Sequence, residues 1–148
     1  MSDQNNTDSN NNLEPVLWGA ADILRGSVRP ERYGSYMLPL LFYKRLSDVY
    51  VEEYEKALKK YGDEEIAKKK FHRFMIPEGC LWSDLRKTSQ NVGQKLNDIL
   101  AEIARNNSEL DGVINRVDFN RPDELPQERL VRLVEHFSQM SLGHKDVL

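Results

Sequence analysis

The run Met37–Tyr43, MLPLLFY, constrains the fold more than any other feature of the chain. It is the longest apolar run, and it is far shorter than the roughly eighteen residues that a membrane span needs. It therefore has to be buried inside a folded domain. Its flanks mark it as part of a helix. Pro30 suits a first helical turn and Gly62 suits a left-handed cap. Beyond Lys44 the apolar positions Leu46, Val49, Tyr50, Tyr54 and Leu58 keep to one side. The pattern predicts one long helix from Pro30 to about Tyr61. A helix that is apolar all round is buried all round, so 37–43 is expected to be the hub of the fold, with Phe42 in the core. Pro39 removes one backbone hydrogen bond and is expected to kink the helix.

The remaining segments read as shorter helices packed on this hub. The first is expected to start near Leu13, with Pro15 in its first turn and a stripe of Leu17, Ala20, Ala21 and Leu24. Gly26 is a plausible stop. Asp63–Lys70 reads as a short surface helix, and 71–81 as irregular chain with a turn at Pro77-Glu78-Gly79. Ser83 can cap a short helix through Lys87. Asn91–Asn106 is amphipathic through Val92, Leu96, Ile99, Leu100 and Ile103. A short helix is expected over Ser108–Val117, with Ser108 as its cap, then a loop over 118–125. Pro126 opens the last helix, with Leu130, Leu133, Val134, Phe137 and Met140 in register. The expected fold is all-α, an orthogonal bundle of five to seven helices around a buried central helix, with at most one small β-hairpin. Residues 1–12 are polar and expected to be a disordered tail, leaving 13–148 as one domain.

Several chemistries lack their sequence signatures. The glycines, at 19, 26, 34, 62, 79, 93, 112 and 143, never stand two apart, so there is no Gly-x-Gly turn to admit a nucleotide cofactor. The prolines, at 15, 30, 39, 77, 122 and 126, never pair, so there is no Pro-Pro loop of the kind that grips a flipped adenine. His72, His136, His144 and Cys80 lack zinc-ligand spacing, and His136 reads as a partly exposed helix histidine. No catalytic, cofactor-binding or metal-ligating residue is therefore expected. Cys80 is the single cysteine, so no internal disulfide forms, which suits a reducing cytoplasm. The net charge of −3 argues mildly against DNA binding by this domain alone, because phosphate neutralisation supplies most such affinity.

Three segments carry a family resemblance. They are LWGAADILRG from Leu17 to Gly26, YGSYMLPLLFYKRLSD from Tyr33 to Asp48, and IPEGCLWSDL from Ile76 to Leu85. In that order and spacing they resemble the helical N-terminal region of the modification subunit of type I restriction–modification systems. The piece DFNRPDELPQERLVRLVEHF, Asp118 to Phe137, resembles what precedes the catalytic domain in such subunits. The resemblance implies a non-catalytic domain of an adenine-N6 DNA methyltransferase subunit. Its expected role is to assist DNA enclosure and assembly with the specificity subunit. The implied partners are the specificity subunit, a second modification subunit, the restriction subunit and duplex DNA, in the cytoplasm and away from any membrane. S-adenosylmethionine is implied for a catalytic domain beyond residue 148, with no cofactor in residues 1–148. The alternative is a helical module that contacts only protein.

Most residues of the motifs read as core, including Leu17, Leu24, Leu38, Leu41, Phe42 and Leu46. The charged members leave two readings open. Arg25, Arg29, Arg32, Lys44 and Arg45 flank the first inter-helix turn and the exit from the hub, and either pair with Asp22 and Asp48 or touch DNA or a partner. Lys68, Lys69, Lys70 and Arg73 form the densest basic cluster, beside Phe71. They serve either as a solvated helix end or as phosphate contacts. A continuous basic face would favour DNA, and an exposed apolar patch would favour protein.

Overall fold

The computed structural model describes the backbone of residues 3–143 and the side chains of 13–143; His144 and the other terminal residues lie outside it. The described residues form six α-helices and two 3-10 turns, with no strand. Helix α1 is Asp3–Leu24, α2 Tyr33–Tyr61, α3 Glu64–Lys69, α4 Trp82–Arg86, α5 Val92–Asn106 and α6 Gln127–Phe137. Helix α1 begins upstream of the expected start at Leu13, inside the polar stretch read as a tail. Its packing side chains lie further on, where Ala20, Ile23 and Leu24 are buried and Val16 and Leu17 lean on the core.

Local chemistry sets most helix ends. A 3-10 turn, Pro30–Arg32, leads into α2, and Gly62 closes α2 at φ 68° with its N–H on the Leu58 carbonyl. Asp63 then caps α3 by accepting from the N–H groups of Glu65 and Ile66. At α4 the expected cap, Ser83, is displaced. The cap position falls two residues earlier, at Leu81, and the Asp84 carboxylate reaches back to the Leu81 N–H at 3.0 Å. The expected helix over Ser108–Val117 is reduced to the 3-10 turn Ser108–Leu110. Asn107 directs its side chain to the Met75 backbone and to the Ile103 carbonyl, and Gly112 follows at φ 80°. The chain leaves helical geometry at both points.

Helix α2 is central, as expected, and packs against α1, α3, α4 and α6. Its apolar run is not buried all round. Tyr36, Pro39, Leu40, Tyr43, Lys44, Ser47 and Tyr50 form the buried stripe, whereas Leu38 is 51% and Phe42 46% exposed. The neighbouring helices cover α2 from one side only. Leu38 and Phe42, spaced i, i+4, share the opposite side. Both were expected in the core, and both belong to the surface.

The IPEGCLWSDL segment is pinned to the inner face of α2. The Tyr43 hydroxyl donates to the Cys80 carbonyl at 2.7 Å, and the Trp82 N–H donates to Ser47 Oγ at 2.8 Å. The Tyr43 and Trp82 rings meet at 5.2 Å, and Trp82 Nε1 donates to Ser138 Oγ just past α6. Burial pushes the Tyr43 phenol well above its ordinary value, so it stays a donor.

Candidate interaction surfaces

The turn between α1 and α2 gathers more arginines than neighbouring sequence suggests. Arg25 pairs with Asp22 at 2.9 Å and Arg29 with Glu31 at 3.2 Å, all four well exposed. Arg32 is held by both carboxylate oxygens of Glu124, at 2.6 and 2.9 Å. The Tyr36 hydroxyl donates to the same carboxylate, and Ser27 Oγ donates to the Glu124 carbonyl at 2.5 Å. The bonds from Arg32 and Tyr36 hold the Glu124 carboxyl below the usual carboxylate range, and the same pairing raises the Arg32 guanidinium. Arg129 caps the end of α1, with Nη1 2.7 Å from the carbonyls of both Ile23 and Arg25. Arg121 pairs with Asp123 nearby. Each of these cations faces an acid or a carbonyl.

Lys44 is not a surface cation. It is 5% exposed, with Nζ 2.5 Å from Asp48 and 2.7 Å from the Met140 carbonyl. Asp48 also accepts from the Leu142 N–H at 2.8 Å, and Arg45 donates to the Leu142 carbonyl. Lys44, Arg45 and Asp48 thus strap the segment after α6 across α2.

The second basic cluster divides. Lys69 pairs with Glu65, while Lys70 and Arg73 lie exposed, with the Arg73 guanidinium 5.1 Å over the Phe74 ring. His72 turns inward. Its ring stacks on Tyr50 at 4.0 Å, with Nδ1 3.0 Å from Glu53 and Nε2 2.6 Å from the Ala67 carbonyl. Lys68 and Lys69 edge a cavity of about 420 Å³ floored by Tyr50, Val51, Tyr54, Ile76 and Leu81. Arg73 joins Arg45 at a smaller cavity of about 210 Å³ beside Leu46, Val49 and Phe74. Arg45 and Arg73 are thus the point where the two expected clusters meet, with Glu53 between them, whereas Arg25, Arg29 and Arg32 lie at the other end of α2.

An apolar surface accompanies this dispersed charge. Leu38 and Phe42 are about half exposed on α2, and Trp18 is 66% exposed on α1. A family model described as the HsdM N-terminal domain matches residues 13–137. The chain belongs to this family. It is an N-terminal domain of the modification, or methyltransferase, subunit of a type I restriction–modification system. No curated protein matches the chain.

The three motifs of this HsdM N-terminal domain have distinct physical roles. Gly19 gives the His136 ring its seat, since a Cβ there would stand 2.6 Å from Nε2, and that nitrogen lies 2.7 Å from the Val16 carbonyl. Trp18, Leu38 and Phe42 are the large apolar members of these motifs that face outward. Glu124, Tyr36, Arg121 and Arg129 escaped sequence reasoning, because nothing local links a loop glutamate to an arginine ninety-two positions earlier. Among the described residues, no helix is long and apolar enough to cross a membrane.

Proposed function

We propose that this HsdM N-terminal domain is a non-catalytic assembly element that helps the modification subunit join the specificity subunit and enclose DNA. In this reading the outer face of α2 is the protein-contact surface. The carrying observation is the Leu38–Phe42 pair, left half exposed in the first third of the longest helix, while Arg25, Arg29 and Arg32 before that helix are engaged in ion pairs. Two such side chains offer roughly 200 Å², against the roughly 800 Å² per partner of a standard interface. They therefore fit a patch within a larger assembly rather than a self-sufficient dimer contact. Methyl transfer from S-adenosylmethionine, contacts to a second modification subunit and to the restriction subunit, and a cytoplasmic setting belong to the complete subunit under the same proposal.

The test is reconstitution of the full modification subunit with the specificity subunit. The double substitution Leu38→Glu, Phe42→Glu is expected to abolish co-elution, while the isolated domain keeps its helical circular dichroism and melting temperature. Unchanged assembly would exclude the α2 face. A second reading, protein contact with no role toward DNA, gains support if charge reversal of Arg25, Arg29 and Arg32 leaves both assembly and the DNA affinity of the assembled complex unchanged at every salt concentration.

A further inference from the structure

The far end of α2 carries an aromatic pair that packing does not explain. Tyr61 is the last residue of α2, and Phe71 follows α3. Their rings stack at 5.2 Å and 6°, yet Tyr61 remains 45% and Phe71 61% exposed. Phe71 takes φ 70°, in the left-handed region that L side chains other than Asn and Asp rarely enter. A glycine would meet no such strain. The fold thus holds a large ring, in an unfavourable backbone conformation, flat against solvent. Backbone strain of this kind clusters at binding sites.

Charge supplies the second observation. Lys60 Nζ lies 5.4 Å over the Tyr61 ring, and Lys59 and Lys70, each within two residues of a ring in sequence, are exposed and form no ion pair among the described residues. Of the three acids that begin the next helix, Asp63 caps α3, Glu65 pairs with Lys69 and Glu64 is exposed. Aromatic faces interleaved with unpaired lysines suit a polyanion that also presents flat rings. Bases inside a duplex have no free face, whereas unpaired bases do.

We propose that the Tyr61–Phe71 pair, with Lys59, Lys60 and Lys70, is a contact for single-stranded nucleic acid, a base stacking on the exposed ring and phosphates meeting the lysines. This site is separate from the Leu38–Phe42 face, and neither proposal depends on the other.

Fluorescence anisotropy of the 148-residue chain with labelled (dT)15, and with a duplex of equal length, tests it. Binding of (dT)15 is expected to exceed duplex binding. Phe71→Asn, which tolerates a positive φ, is expected to weaken it about 5- to 150-fold, the effect of one base–aromatic stack. Lys70→Ala is expected to lower the salt slope by about 0.7. The melting temperature of Phe71→Asn should stay near that of the parent. Absent binding, equal affinity for duplex or for polyglutamate, or a large fall in melting temperature would each overturn the proposal, the last by making the pair a structural buttress.

Discussion

A Cβ at position 19 has no room, because the His136 ring from α6 fills that space and reaches the Val16 carbonyl. The ring belongs to a helix partner, so it has little freedom to retreat. Gly19→Ala is therefore expected to destabilise the domain by about 1–3 kcal/mol, as overpacking does, measured by urea denaturation. His136→Ala in the same background should recover part of the loss. Glu124 makes a different residue-level case. Its carboxylate is stabilised by Arg32 and then Tyr36, so its folded pKa lies below the unfolded value. The sign follows: the contribution is present above the ordinary glutamate value of about 4.3 and is lost as pH falls through the lower folded value. Glu124→Gln is expected to cost about 1–2 kcal/mol near neutral pH, at the low end for charge-assisted bonds because Arg32 is partly exposed. The difference from the parent should shrink below about pH 4. A constant difference down to pH 3 would mean that the bonds do not depend on the carboxylate charge. Gly19 stood out in the sequence as part of a motif, but its reason lies 117 positions away. Glu124 carried no signal at all.

At the scale of the element, the helix limits were readable wherever a residue has a strong backbone preference: Pro30, Gly62, Asp63 and Pro126 each stand at or beside an observed end. The end of α5 at Asn106 was readable too, but not that the chain beyond it, with the Asn107 amide bound to Met75, makes only the 3-10 turn Ser108–Leu110 in place of the helix expected over Ser108–Val117. The apolar run in α2 shows the same division. Composition placed it centrally, but only the arrangement of α1, α3, α4 and α6 decides which side is covered. The prediction follows from the two faces. Leu40→Ala, on the fully buried side, is expected to cost about 2–5 kcal/mol. Phe42→Ala, half exposed, is expected to cost under about 1 kcal/mol. Equal large losses by chemical denaturation would restore the buried hub that the sequence alone suggests.

The molecule as a whole extends beyond the span that the family model matches, which ends at residue 137. Residues after α6 complete the packing of α2. Ser138 takes the Trp82 indole N–H, Met140 and Leu142 meet Lys44, Asp48 and Arg45, and the Leu142 side chain is 8% exposed. The sequence offered the pairing of Lys44 with Asp48 as one of two readings, and it put Met140 in register with α6, but it gave no sign that Lys44 is buried or that Leu142 closes over the pair. The buried lysine is the physical reason that the strap matters. Lys44 and Asp48 neutralise each other, yet each also spends a hydrogen bond on the strap backbone, and an unsatisfied buried charge is costly. A chain ending at Phe137 should therefore fold with the same helices but lose about 3–5 kcal/mol, from Leu142 burial and the charged hydrogen bonds together. For a domain of this size that is roughly 10 °C in melting temperature. Lys44→Met in the full chain separates the two contributions: it leaves Leu142 to pack but strands Asp48, so it should be destabilising by itself. In the chain ending at Phe137, where solvent reaches Asp48, the same substitution should cost clearly less. Equal costs in both backgrounds would show that the strap neither shields the pair nor depends on it.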